Sequence, residues 1–229
     1  MQSFVYASLL LLTLLVPLAR SFEPRIHFVS YWKILFKAIA PIALFFIVWD
    51  VFFTAKHIWG FNETYVLGFN FYGLPLEEIA FFWVVPFACV FIYEVLNYFV
   101  KKDLLQKFAP AITIMLLIVS GVIAFRYATK LYTFLSFAIS FFLLCLQILW
   151  IKPAYLGRFY LAFMVILVPF LAINGVLTAL PVVWYNPAAI IGVKIGTIPF
   201  EDVFYCLDLL LPIVNLYEYQ KKKTNISVP

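Results

Sequence analysis

The chain has 229 residues, of which 66% are hydrophobic and only 12% are charged, and its mean hydropathy is +1.05. An average soluble domain is ~45–50% apolar and ~25% charged. The composition therefore excludes a soluble globular enzyme, a disordered chain and a nucleic-acid-binding protein, although the formal net charge is +5. We expect the chain to be surrounded by membrane lipid.

Seven apolar segments follow one another along the chain, each of about the ~20 residues that a bilayer-spanning helix needs. They cover about residues 3–19, 34–55, 75–99, 109–125, 131–151, 159–180 and 198–219. The first segment has no basic stretch before it and no small-residue cleavage site after it, so we interpret it as a helix rather than a signal peptide. The sequence predicts an all-α polytopic membrane protein with seven transmembrane helices.

Lysine and arginine are distributed unevenly between the two sides that these helices define. Twelve of the 16 lie in connections that follow odd-numbered helices, and four follow even-numbered helices. Because cytoplasmic loops carry an excess of Lys and Arg, the amino terminus is predicted to lie outside and the carboxyl terminus in the cytoplasm.

An internal duplication is visible when the sequence is shifted by 124 residues. Segment 50–94 then lies over segment 174–218, and the best matches are Pro75-Leu-Glu77-Glu78 on Pro199-Phe-Glu201-Asp202 and Tyr93-Glu94 on Tyr217-Glu218. We interpret this as two three-helix repeats, residues 1–100 and 128–229, joined by a linking helix in residues 101–127.

An offset of four helices means that both repeats are predicted to cross the membrane in the same direction, as parallel repeats do. The two acidic motifs would then lie at the same depth, together with Asp50 near the end of helix 2.

The acids of this layer are the candidate catalytic residues: Glu77, Glu78, Glu201, Asp202 and Asp50. A proline in the first helical turn costs no hydrogen bond, so Pro75 and Pro199 are assigned a structural role. Acids in that turn stabilise a helix, so helix capping is the alternative role for the acids. Two copies of the acidic motif at the same depth favour a functional role over capping, because carboxylates within a membrane are energetically costly and usually functional. Asp208 could instead be a neutral acid bonded to another helix, and Glu94 and Glu218 are interpreted as boundary acids.

Aromatic side chains next to the acids could stabilise a carbocation, as π faces stabilise other cations. The candidates are Trp49, Phe81, Phe82 and Tyr205. Clustered acids in apolar surroundings can keep one member neutral as a proton donor beside an ionised neighbour. The pattern therefore indicates acid-initiated chemistry on an apolar substrate.

Other types of site find no support in the sequence. There is no G-x-G-x-x-G motif for a dinucleotide, no D-D-x-x-D motif for magnesium diphosphate, and only two histidines for a metal centre. We expect neither a cofactor nor a metal ion.

The paired motifs and their duplication resemble the heterodimeric-type lycopene β-cyclases, in a form with both halves fused into one chain. The matching residues are Pro75, Glu77, Glu78, Pro199, Glu201 and Asp202. The resemblance implies a flavin-free isomerase that converts the open ψ ends of lycopene, bound within the bilayer, to β-ionone rings. It is also compatible with association of the chain with other enzymes of carotenoid biosynthesis.

The resemblance implies that Glu77 or Glu78 and Glu201 act across the repeat interface, one as proton donor and the other as base without the sequence assigning which, and that Asp50 positions groups or stabilises charge. Two alternatives stay open. Related membrane proteins are carotenoid hydratases, and a proton-coupled transporter would also place acids at a repeat interface.

Overall fold

The computed structural model describes residues 2–224 and contains seven α-helices within that range. They are α1 Val5–Arg20, α2 Trp32–Ala55, α3 Leu76–Phe99, α4 Ala109–Arg126, α5 Leu131–Leu146, α6 Leu156–Ala179 and α7 Glu201–Lys223. A π-helical stretch, Gln147–Ile151, extends α5. The predicted all-α fold is confirmed, with 72% of the described residues helical, and the helix ends lie within about a turn of those expected.

Six helical segments are long and apolar enough to cross a membrane: Gln2–Arg20, Phe28–Ala55, Leu76–Phe99, Ala109–Arg126, Leu131–Ile151 and Leu156–Ala179. The seventh helix, α7, differs because it carries four acids and three lysines. Its middle is apolar and buried, and it packs against α2, α3, α5 and α6. Protein rather than lipid therefore surrounds the acids of α7, which is how such residues are tolerated within a membrane.

Six short strands, which the sequence did not predict, lie in the connections before α3 and α7. They are β1 Trp59–Phe61, β2 Asn70–Phe71, β3 Leu74–Pro75, β4 Val183–Tyr185, β5 Lys194–Ile195 and β6 Ile198–Pro199. Strands β2 and β3 form one hairpin, β5 and β6 form another, and β1 pairs with β4. We call the end of the bundle that holds these strands the acidic end.

Equivalent contacts recur at the offset of 124 residues. In the β1–β4 pair Gly60 lies opposite Trp184, its own counterpart. The Asn62 N–H donates to the Val182 carbonyl at 2.9 Å, and the N–H of its counterpart Asn186 donates to the Ile58 carbonyl at 2.8 Å. This exchange relates the two connections by a local two-fold axis. The repeat boundaries and the directions in which the halves cross a membrane stay predictions.

Helices from the two halves of the chain are interleaved. Helix α1 packs on α3 and α5 packs on α7, but α2 makes its larger contact with α7, and α6 makes its larger contact with α3. Helices α3 and α7, which carry the acidic motifs, are thus each covered by helices from both halves.

Candidate active site

The hairpins deliver the acidic motifs to the first turns of α3 and α7, at the acidic end. Glu77 and Glu78 begin α3, and Glu201 and Asp202 begin α7. Pro75 and Pro199 end strands β3 and β6. The expectation that they lie in the first helical turn is therefore wrong, because both lie just before their helices. Their fixed φ suits this extended approach to a helix.

Glu77 and Glu201 bind the preceding connections. One oxygen of Glu77 accepts the Leu67 N–H at 2.6 Å. The matching oxygen of Glu201 accepts the Ile191 N–H at 2.7 Å and the Thr133 hydroxyl at 2.6 Å. Hydrogen bonds from backbone N–H groups to a carboxylate are strong. These two acids therefore anchor loops, and neither lines the cavity described next.

The second acid of each motif lines a narrow buried cavity, together with Asp50 from α2. Glu78, Asp202 and Asp50 are all buried. Eight aromatic side chains also line the cavity: Tyr6, Trp59, Phe61, Phe81, Tyr132, Phe170, Tyr185 and Tyr205. Three carboxyl groups from distant parts of the sequence thus converge on one aromatic-walled space.

Tyrosine hydroxyls hold each of the three carboxyl groups. Tyr6 donates to Glu78, and Tyr205 donates to Asp50 at 3.0 Å. Asp50 and Glu78 also line the same small cavity. Two buried carboxyl groups that face one space are stable when one of them is protonated, so this pair can supply a proton to the cavity.

Asp202 has different partners, because both of its oxygens accept a hydroxyl. Tyr132 donates to one oxygen at 2.6 Å, and Tyr185 donates to the other at 2.8 Å. Burial, and then the charge of Asp202, raises the pKa of the Tyr185 hydroxyl well above its ordinary value, so this group keeps its proton. An acid that accepts at both oxygens is suited to remain a carboxylate.

Two of the four predicted aromatic residues line the cavity and two do not. Phe81 and Tyr205 are lining residues. Trp49 instead stacks on Phe53 with ring centroids 4.7 Å apart, and Phe82 packs 5.9 Å from Phe46.

Several lining residues were missed by the sequence reasoning: Tyr6, Trp59, Tyr132, Tyr185, Phe170 and Asn174. Asn174 is the counterpart of Asp50 at the offset of 124, so the duplication offered a signal for it. The tyrosines carried no such signal, because an aromatic residue near the end of a membrane helix is common.

An apolar groove continues from the cavity toward the outside of the bundle, between α1, α3 and α6. It has a volume of about 300 Å³. Phe81, Phe170 and Asn174 line both spaces. The cavity thus has a hydrophobic extension that opens sideways between helices.

The remaining predicted acids lie away from the cavity. Asp208 is buried about two turns into α7 and accepts a hydrogen bond from Ser140 of α5, which agrees with the structural alternative. At the opposite end of the bundle Glu94 pairs with Lys221 at 2.7 Å, and Glu218 accepts the Tyr93 hydroxyl at 2.9 Å.

Comparison with known families gives one result. A family model described as lycopene cyclase matches residues 3–96 and 129–220. The unmatched stretch between them contains α4. Searches of curated proteins and of solved structures returned no match.

Proposed function

This chain, an integral membrane protein, belongs to the lycopene cyclase family, and we propose that it closes the ψ end groups of lycopene to β-ionone rings by proton transfer alone. The observation that carries the proposal is the cavity in which the buried carboxyl groups of Asp50, Glu78 and Asp202 meet aromatic walls and an apolar groove.

The reaction is an isomerisation in which the atoms of the substrate balance. A carboxylic acid protonates C2 of the terminal double bond and leaves a cation at C1. The C5–C6 double bond attacks C1, which forms the C1–C6 bond and moves the cation to C5. A carboxylate removes the proton from C6, and the C5–C6 double bond is restored within the ring. No electrons are exchanged with a cofactor.

The contacts of the three acids support different roles for them. The Glu78–Asp50 pair is the proton donor, because two buried carboxyl groups that face the same cavity favour a state in which one of them is protonated. Asp202 is the base and the counter-ion of the cation, because two tyrosine hydroxyls stabilise its charge. Glu77 and Glu201, the other candidates, act through the loops that they anchor.

The aromatic walls stabilise the intermediate. Phe81, Trp59 and Tyr205 surround the cavity, and a ring face attracts a cation by ~0.5–2 kcal/mol. Their bulk also keeps water from the C1 cation. Deprotonation at C6 is therefore favoured over the capture of water, which would make the protein a hydratase.

Substitutions that remove ionisation at constant size test these roles. In liposomes that contain lycopene, Glu78→Gln and Asp202→Asn should each lower ring formation by the ~10²–10⁴ typical of a lost general acid or base. The matched control is Glu63→Gln, which changes an exposed acid at the same end of the bundle and should leave the rate unchanged. Normal ring formation by the Glu78→Gln/Asp202→Asn double variant would overturn the assignment.

A further inference from the structure

We propose that the groove between α1, α3 and α6 receives the polyene chain that follows the reacting end group, and that its counterpart between α5, α7 and α2 is closed. We call the first the access groove. It is lined by Leu12, Val16, Val85, Ala88, Cys89 and Ile173, among others. This inference rests on the proposed function, because it takes the substrate to be a long hydrocarbon whose end reaches the acids.

The access groove joins the bilayer to the acidic cavity. At its inner end Phe81, Phe170 and Asn174 are shared with the cavity. At its outer end Leu12 and Val16 of α1 are 63% and 60% exposed. An extended apolar chain lying in the groove would thus have one end at the carboxyl groups and the other in lipid, with hydrophobic contact throughout.

The duplication allows a direct comparison of the two sides, and at three positions of α2 and α7 the counterpart carries larger side chains. At the offset of 124, Pro169 and Ile173 of α6 correspond to Phe45 and Trp49 of α2. The small Cys89 of α3 corresponds to Ile213 of α7.

Two of the larger residues pack into the bundle on that side: Trp49 stacks on Phe53 at 4.7 Å, and Ile213 is fully buried. Phe45 lies at the surface and is 50% exposed.

The junctions between groove and cavity also differ. On the counterpart side the Tyr205 hydroxyl donates to Asp50 at 3.0 Å and ties α7 to α2. On the access side the corresponding residues are Phe81, which has no hydroxyl, and Asn174, whose amide donates within α6 to the Phe170 carbonyl at 3.0 Å. Because the Phe81 side chain has no polar atom and the Asn174 amide donates within its own helix, these two side chains do not tie α3 to α6 among the described residues.

A consequence follows for a substrate with two reactive ends. When one end lies in the cavity, the chain fills the access groove and the other end lies in the bilayer. Each binding event should therefore close one ring, and the second ring should require release and rebinding in the opposite direction.

Neighbouring exposed leucines on α1 provide a matched pair for the test. Leu12 lines the access groove and Leu11, 66% exposed, does not. Each is changed to Trp in a Glu78→Gln background, the protein is purified in detergent with lycopene, and the lycopene retained per protein is measured by absorbance. Retention should fall about tenfold in Leu12→Trp, because the indole overfills the groove, and should be unchanged in Leu11→Trp.

A second pair repeats the comparison one turn away, with Val16→Trp in the groove and Leu15→Trp, at a 61% exposed position, as its control. Equal retention by the groove and control variants in both pairs would overturn the proposal. Because retention is measured without turnover, this result is independent of whether Glu78 is the acid. Full cyclisation by Glu78→Gln would contradict the proposed function and leave the groove result standing.

Discussion

Tyr6 shows how a single hydroxyl can orient an acid that lies 72 positions away in the sequence, through a hydrogen bond to its carboxyl group. It is buried near the start of α1 and donates to Glu78. Tyr132, near the start of α5, makes the same contact with Asp202. Equivalent helices therefore orient the two acids that we propose as donor and base.

Removal of the Tyr6 hydroxyl should impair the reaction without unfolding the protein. A hydrogen bond to a charged or ionisable group contributes ~1.5–3 kcal/mol, so Tyr6→Phe should lower ring formation by about 10- to 100-fold. The measurement is the initial rate in lycopene liposomes at matched protein level. Tyr72→Phe, at an exposed hairpin residue, is the control, and equal rates for both variants would contradict the role of Tyr6.

The sequence pointed to the acidic motifs of the candidate site but not to which acid of each motif faces the cavity. Glu77 and Glu78 are adjacent, and adjacent residues on a helix point about 100° apart. Which of them meets the cavity and which meets the loop depends on the approach of the hairpin and of the partner helix. Those contacts, such as that of Glu77 with Leu67, come from tertiary structure that no local pattern encodes.

At the scale of secondary-structure elements, α3 and α7 are joined at the end opposite to the acids. Lys221 of α7 pairs with Glu94 of α3, whose side chain is only 1% exposed. Tyr93 of α3 donates to Glu218 of α7. Helices α3 and α7 thus make polar contacts with each other at one end of the bundle, while their first turns line the cavity at the acidic end.

Breaking the Glu94–Lys221 pair should destabilise the bundle. Lys221→Met leaves a buried carboxylate without its partner, which costs ~3–5 kcal/mol. We expect a lower midpoint of thermal unfolding in detergent, with part of the loss recovered in the Glu94→Gln/Lys221→Met double variant. Lys223→Met changes an exposed lysine on the same turn and should have no effect. An unchanged midpoint in Lys221→Met would show that the pair is not stabilising.

The helices could be predicted and the strands could not, for a physical reason. Long apolar runs such as Leu76–Phe99 must become helices in a membrane, because every backbone group has to be hydrogen-bonded. Strand β1 has three residues and its partner β4 lies more than a hundred positions later. Such a pair forms only because the helices bring the two connections together.

At the scale of the whole molecule, the two halves form one interleaved bundle. The second helix of each half packs on the third helix of the other half, α2 on α7 and α6 on α3. The β1–β4 pair also joins the two halves at the acidic end. The cavity is lined from both halves, so neither half alone could form it.

The uneven charge of the connections predicts the orientation of the molecule in the membrane. Twelve of the 16 Lys and Arg residues lie at the end opposite to the acidic end, and this end is predicted to be cytoplasmic. Reporter fusions at Lys102 and Lys222 should read as cytoplasmic, and fusions at Asn62 and Asn186 as external. If the two halves gave opposite readings, parallel repeats would be contradicted.

The most direct test of the central claim follows the proton itself. The purified protein in liposomes is given lycopene in D₂O, without flavin or nicotinamide, and the product is analysed by mass spectrometry and NMR. A carboxyl donor exchanges its proton with water between turnovers, so each ring should carry one deuterium at C2 and no added oxygen. Unlabelled rings, or an acyclic alcohol heavier by one water, would contradict cyclisation by the acids of the cavity.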